Sequence, residues 1–232
     1  MALVEHSAES GVTTLTINRP EKRNAITPDV QAELGALLRV AEADDEVRVL
    51  IITGAGQDFC VGGDFEVVER MRTDSAYEVG LVRTHVEIAE SILSFTKPTI
   101  AALNGPALGF GAEIAAFCDM VVMSENAVLA DPHVKIGLGP APGALLIWPQ
   151  RTSRAIAAEL MLTGREVGAE EALRLGLANR IAPEGSALAV ALELARTIRE
   201  LPREGVMAVK AALRQSYTKL LADAERMASR TR

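Results

Sequence analysis

An α/β fold is what this sequence predicts, on three observations. Strand-like and helix-like segments alternate along the chain. Two strand-like segments, "VRVLIIT" (47–53) and "KPTIAALN" (97–104), are largely apolar runs, as in parallel strands covered on both faces. The helix-like segments repeat apolar residues at helical spacing and carry recognisable ends. With 232 residues, 49% of them hydrophobic, the chain can enclose a sizeable core.

Each element has its own warrant. "GVTTLTIN" (11–18) alternates apolar and polar residues and reads as a strand. "RPEKRNA" is a turn. Thr27 and Pro28 open a helix as N-cap and first helical residue, running to about Glu42. The strand at 47–53 leads into a glycine-rich loop, "GAGQDFCVGGD" (54–64). From Glu78 to Phe95, Val82, Val86, Ala89 and Leu93 recur at helical spacing. The strand at 97–104 runs into "GPALGFG" and a short helix near 111–117. "DMVVMS" and "AVLA" are short strands. Helices follow around 153–161, 169–175 (closed by Gly176), 186–200 and 203–226, so the last third reads as a small helical subdomain.

The chain carries 24 Lys and Arg against 31 Asp and Glu, a formal charge of −7. That balance argues against broad binding to nucleic acid or anionic lipid, which needs a basic face. Cys60 and Cys118 sit in apolar contexts without CxxC spacing and read as reduced core residues. No basic start followed by an apolar run opens the sequence, and no apolar stretch approaches the ~20 residues that span a bilayer. A cytoplasmic protein with no nucleic-acid or membrane partner is expected. His6, His85 and His133 lack metal-ligand spacing, so no metal site is expected.

Two glycine-rich loops, 60–64 and 105–111, each follow a buried strand, and the second leads directly into a helix. Backbone N–H groups at a helix start are unpaired and favour negative charge. Two such loops side by side would aim two N–H groups at one carbonyl oxygen, forming an oxyanion hole. Tight turns explain the glycines about as well. The dinucleotide fingerprint, the P-loop and the GxSxG elbow are all absent. Glu113 falls in the first turn of the apolar helix "AEIAAF". It reads either as a carboxylate placed by the helix dipole or as a general base beside the oxyanion hole.

"LTINRPEKRNAI", "VLIITGAGQDFCVGGDF", "KPTIAALNGPALGFGAEIAAFCDMVV", "NAVLADPHVKIGLGPAPGA" and "LTGREVGAEEALRLGLANRI" occur in this order between about Val12 and Arg214. In order and spacing they resemble the crotonase superfamily, the enoyl-CoA hydratase/isomerase family. The resemblance implies a spiral of ββα units as a core domain over 1–185 and a helical C-terminal trimerisation region over 186–232. Members usually continue through one further helix, so that region is expected to be short. An acyl-CoA thioester is the implied substrate, coenzyme A being part of it and no separate cofactor being needed. A homotrimer or dimer of trimers is the implied assembly.

The same resemblance implies site residues. Gly63 and Phe110 match the two oxyanion-hole positions, and Phe110 departs from the family's usual glycine. CoA contacts map onto Lys22, Arg23 and Ala25 and onto Val61, Asp64 and Phe65. Hydratase members use two glutamates, of which the first matches Glu113. The second falls at His133, because the usual "PE" reads "PH" here. Histidine can give or take a proton at neutral pH, so either it or Glu113 can be drawn as the base. Asp131, Leu138 and Trp148 complete the expected pocket.

Hydration or dehydration across C2–C3 of an enoyl-CoA is the leading expectation. A branch of the superfamily that hydrolyses cyclic β-diketones by retro-Claisen cleavage is similar in its "PH" and in a downstream Trp-Pro pair, here Trp148 and Pro149. Its aspartate partner to the histidine is replaced by Pro142, leaving Asp131 or Glu113 to substitute. An enoyl-CoA isomerase, a decarboxylase and a CoA-binding pseudoenzyme stay open. The acidic balance argues against an RNA-binding relative, and the retention of Glu113 against the pseudoenzyme.

Overall fold

The computed structural model describes residues 2–140 and 142–228, with side chains as far as residue 215 except at 142 and 146. β1 (Val4–Glu9) and β2 (Val12–Ile17) form a hairpin across Gly11, whose φ of +77° suits glycine. α1 (Pro28–Ala43) starts as expected, with the Val30 N–H donating to the Thr27 hydroxyl. β3 (Val49–Gly54) is buried at every residue. α2 (Phe65–Thr73) and α3 (Ser75–Leu93) follow, their first turns capped by the carboxylates of Asp64 and Asp74. β4 (Thr99–Leu103) is fully buried, β5 (Ala107–Leu108) is brief, and α4 (Phe110–Phe117) turns back at once. β6 (Met120–Ser124) and β7 (Val128–Ala130) precede a 3₁₀ turn over His133–Ile136. α5 (Pro142–Arg151), α6 (Arg154–Thr163), β8 (Val167–Gly168), α7 (Ala169–Leu175), β9 (Arg180–Ala182), α8 (Ala187–Arg199) and α9 (Arg203–Ala228) complete the chain.

The main sheet has the order β1-β2-β3-β4-β6-β9, and its neighbours are parallel from β2 onward. Alternate residues of β3 serve two cores, as a strand covered on both faces must. Leu50 and Ile52 join the larger core with Leu34, Phe117 and Trp148. Val49 and Ile51 join the smaller one with Ala187, Ala191 and Ala195 of α8. α8, expected in the C-terminal region, thus covers the back of the sheet. Lys210 of α9 is tied to Asp119 at 2.7 Å, and Asp119 also accepts from the Thr99 N–H at 2.8 Å. Among the described residues no helix is long and apolar enough to cross a membrane.

A second sheet, β5-β7-β8, stands against the larger core. Isolated bridges Ile26–Gly63 and Cys60–Ala107 stitch the first glycine-rich loop between the 24–26 segment and β5. This stitching positions the site.

Candidate active site

Backbone alternation orients the first loop. The Ile26 N–H donates to the Gly62 carbonyl at 2.7 Å and the Asp64 N–H to the Ile26 carbonyl at 2.9 Å. Successive peptide groups in an extended segment face opposite sides, so the Gly63 N–H points away from this pairing. In the second loop, the Gly109 N–H donates to the Ala130 carbonyl at 2.9 Å and fixes the start of α4. Gly109 sits at φ 51°, ψ −122°, a conformation that a Cβ opposes. No side chain caps α4, so the Phe110 N–H lies at a bare helix start. The loops touch where Gly62 meets Gly109, since a Cβ built on Gly62 would stand 3.7 Å from Gly109 Cα. Neither the Gly63 nor the Phe110 N–H donates to a partner among the described residues. Two such donors beside an uncapped helix start can hold a developing negative oxygen.

Three titratable groups lie beside this junction. Every residue of α4 is buried, Glu113 included at 1% exposure, and its Oε1 has no partner. Burial holds the Glu113 carboxyl well above the usual carboxylate range, the negative charge of Asp131 raises it further, and the Ala144 N–H opposes both in part. Asp131 is 3% exposed, and its Oδ1 contacts His133 Nδ1. Its Oδ2 has no partner. A Cβ on Gly109 would stand 3.5 Å from His133 Cε1 and 3.8 Å from Nε2, so the imidazole lies against the second loop. Arg72 of α2 binds the Ile136 carbonyl and ties α2 to the turn that carries His133.

Glu113, Asp131 and His133 each bring a ligand atom within 4.8 Å of the other two. Folding therefore gathers both Asp131 and Glu113, the two candidate partners, around His133. Such a set can share protons or hold a divalent ion. Burial pushes both cysteine thiols up to about 12, which leaves them poor nucleophiles at neutral pH.

The other expected residues fall in three places. The 19–26 loop abuts the first glycine loop, as the Val61 N–H donates to the Arg23 carbonyl at 3.3 Å and Arg19 pairs with Asp64 at 3.2 Å. Lys22 and Arg23 are exposed, Arg23 meeting Asp58 at 2.7 Å, while Ala25 is buried. Phe65 is 76% exposed at the start of α2. Leu138 is half-buried, with its N–H on the His133 carbonyl at 2.9 Å. Trp148 is buried in the larger core, its indole N–H without a partner. Pro142 opens α5, and its side chain lies outside the described ones.

One residue at the site escaped the sequence reading. The His85 ring stacks on the Phe110 ring, with centroids 4.0 Å apart and planes at 22°. Its signal lay in the buried stripe Leu81, Ile88, Ala89 and Ile92 of α3, which passes through position 85.

The fold is mixed α/β, with two unpartnered backbone donors beside a buried cluster of titratable groups. The enoyl-CoA hydratase/isomerase family model matches residues 7–231, and the chain belongs to that family. It is 32% identical to 1,2-epoxyphenylacetyl-CoA isomerase of Escherichia coli, over 95% of this chain and 85% of that protein. It is 35% identical to short-chain-enoyl-CoA hydratase of Clostridium acetobutylicum, over 82% of this chain and 72% of that protein. Among solved structures, an enoyl-CoA hydratase/isomerase from Mycobacterium paratuberculosis superposes with a TM-score of 0.90 at 34% identity, covering 98% of this chain and 91% of that one.

Proposed function

We propose that this enoyl-CoA hydratase-like enzyme adds or removes water across C2–C3 of an acyl-CoA thioester. The thioester carbonyl sits between the Gly63 and Phe110 N–H groups, which stabilise the enolate. Coenzyme A lies along the rim formed by Lys22, Arg23, Ala25, Val61, Asp64 and Phe65. The carrying observation is the buried Glu113 carboxyl, its Oε1 without a partner, beside an Asp131–His133 pair.

That pair favours one division of labour. With Asp131 ionised, His133 keeps its proton on Nδ1 and presents the Nε2 lone pair. In hydration, Nε2 takes a proton from water as its oxygen bonds to C3. The C2–C3 π electrons move into the thioester enolate. Glu113, whose carboxyl burial holds well above the usual carboxylate range, gives its proton to C2 as the carbonyl re-forms. Proton return from His133 to Glu113 resets the site. Dehydration runs the same steps backward.

One observation supports a second reading. Asp131 supplies the histidine partner that retro-Claisen cleavage requires and that Pro142 does not. Water activated by His133 would then attack a ring carbonyl, and the C–C bond would break toward an enolate. Isomerisation shares the enolate and needs no water. Enoyl-CoA and cyclic β-diketone panels with wild type, Glu113→Gln and His133→Ala separate these. Hydration lost in both variants supports the proposal. Diketone cleavage lost in His133→Ala, with no hydration by wild type, selects the hydrolase.

A further inference from the structure

We propose that His85 is a specificity-determining residue whose imidazole, stacked on Phe110, binds a neutral oxygen carried by the acyl group beyond C3. This deepens the acyl-thioester reading above and rests on it. His85 lies on the inward stripe of α3, yet it is half-buried while its stripe neighbours are sealed. Its partner in the stack is the residue whose N–H is one of the two proposed oxyanion donors, so the imidazole packs on a side chain that the thioester site itself anchors. His133 is near enough to act electrostatically on His85.

The ring nitrogens have no hydrogen-bond partner among the described residues. They differ from Glu113 Oε1 and Asp131 Oδ2, which are orphaned but fully shut in. A polar ring with accessible nitrogens, placed in an otherwise apolar stripe, is arranged to meet a ligand group. Burial, and then the neighbouring His133, push His85 down to about 3. It is therefore neutral at physiological pH, offering one donor and one acceptor. That matches a hydroxyl or a carbonyl. A carboxylate would call for a cation, and an unsubstituted chain would leave the ring unsatisfied.

The test is calorimetric binding of three saturated ligands that cannot be hydrated: hexanoyl-CoA, 5-hydroxyhexanoyl-CoA and adipyl-CoA. Wild type is expected to bind the hydroxylated ligand about tenfold more tightly than hexanoyl-CoA, the scale of one hydrogen bond, and to show no gain for adipyl-CoA. His85→Phe keeps the stack and removes the nitrogens, so the preference should vanish while hexanoyl-CoA still binds. His85→Gln should restore part of it. Equal binding by wild type, a preference that survives in His85→Phe, or a preference for adipyl-CoA overturns the assignment while leaving the thioester reading intact. Failure of wild type to bind any of the three overturns both.

Discussion

Gly143→Ala probes the floor of the site. A Cβ at Gly143 would lie 2.6 Å from Phe117 Cζ and closer still to Glu113 Oε2. Both atoms are side-chain ends on α4, which is buried along its whole length, so they can yield only by turning against packed neighbours. Overpacking of this kind costs about 1–3 kcal/mol. In a chain of this size each kcal/mol lowers Tm by about 2–4 °C. The activity loss should exceed the stability loss, because the new methyl presses on the carboxyl itself. A displacement of about 1 Å at a reacting group can cost about 100-fold in rate. Gly139→Ala is the control, since a Cβ there meets nothing within 4 Å. Thermal melts and enoyl-CoA hydration rates of both variants provide the assay. A Gly143→Ala protein with wild-type Tm and turnover would refute the packing argument and the placement of Glu113 with it.

Three further outcomes are expected. Gly109→Ala forces a Cβ onto φ 51°, ψ −122° and displaces the Phe110 N–H, so kcat should fall by about 10²–10³-fold, as for loss of an oxyanion donor; steady-state kinetics check it. Glu113→Gln should raise Tm at pH 7 but not below pH 4.5. Below that ordinary carboxyl value both states are protonated, whereas above it the unfolded chain ionises before the folded one and stability drains away; melts across that range test the sign. Lys210→Met removes the cation that the half-buried Asp119 carboxylate meets at 2.7 Å and leaves it only its Thr99 partners, so denaturant titration should show a loss of about 1–3 kcal/mol.

Much of the architecture was legible because strong local signals agreed with burial. The β3 and β4 runs are apolar because both faces are covered, and Thr27–Pro28 is a start signal in its own right. β1 was missed because Val4 alone is buried, so no alternation marks it. α5 was hidden by Pro142, Gly143 and Pro149, residues tolerated at a helix start or within a helix packed by tertiary contacts. α2 hid its start at Asp64 inside a glycine-rich loop and buries little beyond Val67.

The site divided in the same way. Glycine turns and the carboxylate of α4 are local features, and they stood out. The Asp131–His133 contact lies two residues apart but depends on the 3₁₀ turn after Pro132. His85 was lost through a one-residue error in helical phase. Of the expected stripe Val82, Val86, Ala89 and Leu93, the last two are buried, but the first two are only half-buried and the buried face runs through Leu81, Ile88 and Ile92 instead. Polar residues in an apolar stripe carry functional information only once that phase is right.

The central claim is that Glu113 transfers the proton at C2 of a bound acyl thioester. Enoyl-CoA hydration by wild type and Glu113→Gln, measured beside binding of a saturated acyl-CoA, tests it most directly. The account predicts a kcat about 10²–10⁴-fold lower in Glu113→Gln, with the saturated ligand bound as before. Full turnover by Glu113→Gln would contradict it.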